Sequence, residues 1–462
     1  MKKSLLAVAA IGAFASAAQA QSSVTVYGIL DVGYIGSNAR EGSVSSSKTM
    51  PSGTAVNPQQ LKVQKSAFGQ SAEQTSRLGF KGTEDLGGGA SAFFTVELGL
   101  TPQNSELSGG TAEDRVQRTT NGSGSAVDNR QSFVGLKKNG IGQFAFGRQY
   151  TPVFNTGAAT SPGQYNNVVG DVVYVGASSA YGAGTNVGGG NNNGAGFTNR
   201  ASNAFTAQSD RFAGFQVGGL YALNNQNSTQ LADGGVSNST TTFGSAGGNT
   251  NWNGWGLNGN FTWQKLYVGV AYQSFKTQYN TGVMSSWTAA NLNSVGATSG
   301  QVTYPQLVFP AAQISDKQTL VGATYDFGIL KAYAQWVGRK VQNDYTTPGY
   351  ASGAAPAYAG QPAASASGAG EQLNRNAQQI GVRSYITPTI ESWASVGTGK
   401  IKATAGGSSA NFFGYQLGSN YYLSKRTNLY AIYGQSQTTS NSVTAGVGAG
   451  ANQYAVGVRH TF

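Results

Sequence analysis

Tyr454-Ala-Val-Gly-Val-Arg-His-Thr-Phe462 closes the chain on an alternation with a period of two. Tyr454, Val456, Val458, His460 and Phe462 share one parity, and Gln453, Ala455, Gly457, Arg459 and Thr461 share the other. Successive side chains of a β-strand point to opposite faces, so this stretch has one mainly apolar or aromatic face and one small or polar face. The pattern recurs along the 462 residues, with no apolar core segment anywhere. Such strands predict a closed barrel, apolar towards lipid outside and polar towards water inside.

Composition points the same way. Only 10% of residues are charged, against about 25% in ordinary soluble domains, and a lipid-facing surface must avoid charge. Residues 1–20 read as a secretory signal peptide: Lys2 and Lys3 make a charged start, Leu5 to Ala15 an apolar stretch, and Ala18-Gln19-Ala20 a small-x-small cleavage site. The apolar stretch is too short to span a bilayer as a helix, which needs ~20 residues. Residues 21–462 then form the barrel, with the mature chain starting at Gln21. Cysteine is absent, so an exported chain of this composition draws its stability from pairing every strand edge rather than from disulfides. The formal net charge is +11, from 29 Lys+Arg and 18 Asp+Glu; without Lys2 and Lys3 it is 27 − 18 = +9. A basic balance suits nucleic acid, anionic surfaces or anionic solutes. Export argues against nucleic acid, as does the lack of Lys/Arg clusters with interleaved aromatics. The positive charge is therefore expected inside the barrel.

Turn chemistry and alternation together give 16 strands, near 24–36, 74–82, 89–100, 129–138, 141–150, 200–211, 214–224, 252–264, 265–278, 313–328, 329–343, 373–387, 389–404, 409–424, 425–440 and 450–462. Short turns such as Asn139-Gly140, Phe327-Gly328, Thr387-Pro388 and Ser424-Lys425-Arg426 alternate with long Gly/Ser/Asn/Thr-rich connections near 37–73, 101–128, 151–199, 225–251, 279–312 and 344–372. Outer-membrane barrels have short periplasmic turns, long outer loops and an even strand number. Parity puts Val24, Val26, Leu30, Phe94, Leu98, Leu100, Val268 and Val270 towards lipid, and Tyr27, Asp31, Lys81, Glu97, Gln273 and Arg459 towards water. A Lys or Arg on the lipid face near mid-bilayer would cost ~2–4 kcal/mol, which enforces the pattern. Tyr421, Tyr430, Tyr433, Trp263, Trp393 and Phe462 lie near strand ends and read as interfacial girdle residues.

Several stretches resemble beta-proteobacterial general-diffusion porins. They are Ser23-Val-Thr-Val-Tyr-Gly-Ile-Leu-Asp31, Ser76-Arg-Leu-Gly-Phe-Lys-Gly-Thr-Glu-Asp-Leu-Gly-Gly-Gly89, Arg130-Gln-Ser-Phe-Val-Gly-Leu136, Phe146-Gly-Arg-Gln-Tyr-Thr-Pro152, Leu423-Ser-Lys-Arg-Thr-Asn-Leu-Tyr430 and Gly457-Val-Arg-His-Thr-Phe462. The resemblance implies an all-β, 16-stranded antiparallel transmembrane barrel whose third extracellular loop folds into the lumen. It also implies a homotrimer in outer-membrane lipid and lipopolysaccharide. Phe462 would be an assembly signal read by the barrel-assembly machinery. The transported species would be small hydrophilic solutes and ions, often with anions favoured.

Selectivity in such a pore comes from its narrowest cross-section and the charges around it. Residues 151–199 are the third loop by position, with no Lys or Arg and one acid, Asp171. Arg77, Arg130 and Arg200 stand where the resemblance puts the constriction arginines, and Arg148 sits at the mouth of the loop. Arg77 follows inward parity. Arg130 shares parity with Val134 and Leu136, so either it lies beyond the regular strand or a bulge intervenes. Arg148 has the same conflict with Phe144 and Phe146. Asp171 facing the arginines would temper an anion preference. The expected function is mildly anion-selective general diffusion; a substrate-specific channel and a surface adhesin or antigen barrel remain as alternatives. An enzyme is not expected: His460 is the only histidine and cysteine is absent, which leaves no nucleophile–base pair and no metal cluster. No cofactor is implied.

Overall fold

A computed structural model describes residues 23–41, 61–103, 107, 128–174, 200–228, 248–281, 312–345, 371–403, 409–438 and 449–462. The signal-peptide reading of residues 1–20, most of the long connections and residues 175–199 lie outside the described residues.

The strands are β1 (Ser23–Glu41), β2 (Leu61–Gln70), β3 (Arg77–Gly87), β4 (Ala90–Gly99), β5 (Asn129–Lys138) and β6 (Gly142–Tyr150). Helix α1 (Pro152–Thr160) follows, then β7 (Arg200–Ser209), β8 (Phe215–Ser228), β9 (Gly248–Trp263), β10 (Leu266–Thr281), β11 (Ala312–Asp326) and β12 (Lys331–Tyr345). The series ends with β13 (Glu371–Thr387), β14 (Ile390–Ala403), β15 (Ser409–Tyr422), β16 (Thr427–Thr438) and β17 (Ala449–Thr461). From β3 to β17 each strand pairs antiparallel with its successor, and β17 pairs back onto β1. The sheet therefore has no first or last strand.

Strand count and topology agree with the alternation, with one refinement. β1 runs past Tyr34 to Glu41; its first part pairs with β3 and its second with β2. β2 and β3 together fill one place in the cylinder, giving 16 places. Residues 37–41 and 61–70, read from sequence as part of a loop, are strand. The signal was masked because β2 carries Lys62 and Lys65 at its outer end and is broken from β3 by the bend at 71–76, where Ser71 has φ 61°. Short turns join the other end, as at Gly140, whose φ of +81° suits a residue without a Cβ.

Exposed apolar side chains mark the outer face: Val24, Val26, Leu30, Phe94, Val134, Val270, Val321, Ile380, Val396, Phe413 and Val458. Phe462 closes the cylinder by exchanging backbone hydrogen bonds with Gly28, its N donating to Gly28 O at 3.1 Å and Gly28 N to Phe462 O at 3.0 Å. Two girdle assignments change. Tyr430 and Trp393 are buried on the inner-parity face, Tyr430 donating to Asp31 Oδ1 at 2.6 Å and Trp393 packed with Ile432 and Val168. Both share parity with buried polar neighbours, Asn428 and Glu391, and proximity to a strand end does not override that parity. Leu100 is also buried: past the end of β4 its N donates to Ser76 O, which draws it off the lipid face.

A segment missed as structure, α1, begins at Thr151, whose side chain accepts from Phe154 N at 3.3 Å, with Pro152 opening the first turn. Its Val153 joins Tyr165, Val172 and Val173 in an apolar cluster with Leu320, Val337, Ala377 and Phe412 of the wall. The inner-parity surface is thus not uniformly polar.

Candidate functional site

The site is built where residues 151–174 leave β6 and cross the inner-parity face of the sheet. Along that path lie glycines. A Cβ on Gly269 of β10 would meet Thr156, on Gly322 of β11 Thr160, on Gly381 of β13 Pro162, on Gly414 of β15 Gly170 and Val172, and on Gly434 of β16 Val169. The missing side chains let the segment's backbone lie directly on the wall. Amides from the wall then satisfy that backbone, as buried peptide groups require. Gln273 Oε1 accepts from Val153 N at 3.4 Å, and Gln335 Nε2 donates to Gly157 O at 2.7 Å. Gln379 Oε1 accepts from Val172 N at 3.0 Å, Gln416 Nε2 donates to Val168 O at 2.6 Å, and Gln453 Oε1 accepts from Val169 N at 3.0 Å. Arg383 donates to Pro162 O through Nε at 3.0 Å and Nη2 at 2.5 Å, and Arg375 to Val172 O. At its far end the segment meets the 71–76 bend: Asn167 N donates to Ala72 O at 2.9 Å and Asn167 Nδ2 to Ser71 O at 2.6 Å.

The bend is itself pinned from β1. Asp31 Oδ2 accepts from Glu73 N at 2.9 Å and Gln74 N at 2.6 Å. Arg459 holds Glu73, Nη1 to Oε1 at 3.3 Å, and donates from Nε to Asn428 Oδ1 at 2.9 Å. Asp31 and Arg459 are thus engaged in latching the bend.

Around the start of the segment the structure brings Arg77, Arg130, Arg200, Glu97 and Tyr27 together, with Lys81 beside them. Arg130 Nε donates to Glu97 Oε1 at 2.8 Å, and Arg77 Nη1 stands 3.8 Å from Oε2. Tyr27 OH donates to Glu97 Oε2 at 3.2 Å, and Lys81 Nζ lies 5.4 Å from the Tyr27 ring centroid. Arg130 Nη2 donates to Tyr150 OH at 2.8 Å and Arg200 Nη2 to the same oxygen at 3.4 Å. The Arg200 guanidinium covers one side of the Tyr150 ring at 4.9 Å, and Phe154 of α1 stacks on that ring at 4.1 Å and 5°. The Nε of Arg200 is buried with no hydrogen-bond partner among the described residues.

Two irregularities deliver these side chains. Glu97 pairs with Gln131 and Leu98 with Asn129, so Arg130 is the extra residue of a bulge. Of the two readings open at Arg130, the bulge is the one present, and it turns Arg130 away from the parity of Val134 and Leu136. A second register shift separates Ala204 from Ala201, with Asn203 at φ 51°, just after Arg200. Arg148 lies beside this group: Nε donates to Asn129 O at 2.8 Å and Nη1 to Ser202 Oγ at 2.7 Å.

Asp171 is placed differently from its expectation. Its Oδ1 accepts from Val173 N at 2.9 Å and Tyr174 N at 2.8 Å, and Ser161 Oγ lies 3.5 Å from Oδ2. Its cationic neighbour is Arg375 of β13. Burial pushes its carboxyl above the ordinary value, opposed by those N–H groups, by Gln379 and by Arg375. It braces its own loop rather than standing opposite Arg77, Arg130 and Arg200. The acid that does face them is Glu97.

A cylinder of 16 antiparallel places, apolar outside and lined within by charge and amides, defines the class of transmembrane β-barrels. The chain belongs to the Gram-negative porin family, whose profile matches residues 7–442, and so to the outer membrane. It is similar to an outer membrane porin protein of Bordetella pertussis, 38% identical over 32% of this chain and 34% of the relative. It is also similar to outer membrane porin protein 32 of Delftia acidovorans, 28% identical over 50% of this chain and 53% of the relative. The matches thus span between about a third and a half of these relatives' own length. An anion-selective porin from Comamonas acidovorans shares the fold, with a TM-score of 0.55 and 19% identity over 96% of this chain and 100% of its own.

Proposed function

We propose that this chain is a general-diffusion porin that passes small hydrophilic solutes and ions and mildly favours anions. The observation that carries the reading is the gathering of three arginines at the root of the segment, Arg77 and Arg130 on the Glu97 carboxylate and Arg130 and Arg200 on the Tyr150 hydroxyl. In this reading residues 151–174 narrow the lumen, and the water-filled gap lies between that segment and the guanidiniums. Arginine stays charged at any working pH and is weakly hydrated, so it draws anions and repels cations. Among the described residues the Nε–H of Arg200 has no acceptor, a donor that an anion or water can take. Arg148 adds positive potential at the mouth. The wider arrangement proposed with it is export by residues 1–20, a homotrimer among outer-membrane lipid and lipopolysaccharide, and assembly through the strand that ends in Phe462. A substrate-specific channel would need a site shaped for one solute, and an adhesin would act through the outer connections; the arginine convergence favours neither.

Planar-bilayer recording in a potassium chloride gradient tests the reading. The reversal potential should show anion preference in the native protein and lose most of it when Arg77, Arg130 and Arg200 are replaced together by Gln. A cation preference in the native protein, or an unchanged potential in the triple variant, would overturn it.

A further inference from the structure

We infer that Glu97 is the residue that sets how strongly this pore prefers anions. The inference rests on the anion-preferring reading above and assigns its control to one side chain. Glu97 comes from the wall, near the end of β4, and both its oxygens face cations: Oε1 takes Arg130 Nε at 2.8 Å, and Oε2 stands 3.8 Å from Arg77 Nη1 and accepts from Tyr27 OH. The local formal charge is three guanidiniums against one carboxylate, 3 − 1 = +2. Arg130 and Glu97, both buried and in direct contact, enter that sum as a neutral unit. Arg77 is looser on Glu97 and more exposed, and Arg200 has its hydroxyl partner in Tyr150. The field a passing ion meets is therefore set by Arg77 and Arg200 less whatever Glu97 screens. The loop acid does not take this part, because Asp171 is consumed by the N–H groups of Val173 and Tyr174. Asp128 also acts on Arg130 and Arg148, but it belongs to an exposed residue, where solvent screens it.

Removing the carboxylate leaves a +3 cluster, and removing Arg130 leaves +1. Removing both returns to +2. This closed cycle separates the proposed role from a purely structural one, since packing loss does not cancel in the double variant. The native protein, Glu97→Gln, Arg130→Gln, the double variant and Asp171→Asn are each reconstituted and recorded in a steep potassium chloride gradient, with circular dichroism checking the barrel. Glu97→Gln should raise the anion-to-cation permeability ratio roughly threefold and Arg130→Gln lower it by a similar factor. The double variant should sit near the native ratio, and Asp171→Asn should match the native protein. If Glu97→Gln does not fold, the double variant against Arg130→Gln reads the same step. A folded, conducting Glu97→Gln with the native ratio, or a shift produced by Asp171→Asn, overturns the inference. A native protein without anion preference, unmoved by every variant, instead overturns the reading it rests on.

Discussion

The inner faces of β3–β7 and of β10–β16 both carry arginine, yet they use it in opposite ways. On β12 and β13 each guanidinium is consumed. Arg339 pairs with Asp316 at 2.6 Å; Arg383 pairs with Glu391 at 2.9 Å and holds Pro162 O; Arg375 holds Val172 O and lies over the Phe412 ring. Around them glycine gives room and glutamine gives amides, so that wall is a seat for a polypeptide segment. On β3–β7 three arginines share a single carboxylate and a tyrosine hydroxyl. Charge left over after local pairing, rather than the presence of arginine, distinguishes the surface proposed to act on solute from the surface that holds the segment.

That contrast can be broken at several points. The largest effect is expected at Arg383→Ala, which strips Glu391 of its cation and Pro162 O of its donor in a buried setting. Leaving a buried charge unpaired costs about 3–5 kcal/mol. The urea midpoint of the folded-to-unfolded gel shift should fall clearly, and adding Glu391→Gln should recover part of the loss. A midpoint equal to the native one would mean that this wall does not depend on its pairs. Next is Gly434→Val, which drives a side chain into Val169 O. Overpacking costs roughly 1–3 kcal/mol, borne here by the seat of the segment, so single-channel conductance should rise and become noisier. Unchanged conductance would place the segment elsewhere. The smallest effect belongs to Asp171. Its carboxyl is raised by burial, so the folded state binds the proton more tightly than the unfolded chain. Stability from this group is complete below the ordinary carboxylate value, about 3.9, and falls as pH rises through the raised value. Asp171→Asn should flatten that fall, seen in unfolding midpoints followed from pH 4 upward; an equally steep fall would contradict the assignment.

Strand number and parity were legible because lipid enforces them at every position, so Val24, Val26 and Val270 could be placed by counting in twos. Arg130 could be flagged but not resolved from the same count, since a bulge adds one residue and resets parity without leaving a mark in composition. Trp393 and Tyr430 misled because aromatics near strand ends suit both an interface and a polar interior; parity with Glu391 and Asn428 was the better guide. The seat for residues 151–174 went unread, although a signal existed. Gly269 and Gln273, Gln318 and Gly322, Gln379 and Gly381, and Gly414 and Gln416 recur at inward parity on β10, β11, β13 and β15. Each residue alone looks like ordinary lumen lining, and only the crossing segment gives the pairs a purpose. Asp171 was misassigned for a related reason: a lone acid in a basic pore suggests a field, but a short-range turn captured it first.

Residues 151–174 lie against the glycine-lined wall of β10–β16. The chain has no cysteine of its own, so an engineered pair can be read without background. An ideal Cβ on Gly322 falls 2.7 Å from Thr160 Cβ, close enough for a disulfide after a small adjustment. Gly322→Cys with Thr160→Cys should cross-link in the assembled barrel, protect both thiols from a membrane-impermeant maleimide, and leave conductance near the native value. Two freely labelled thiols in a folded, conducting barrel would contradict it.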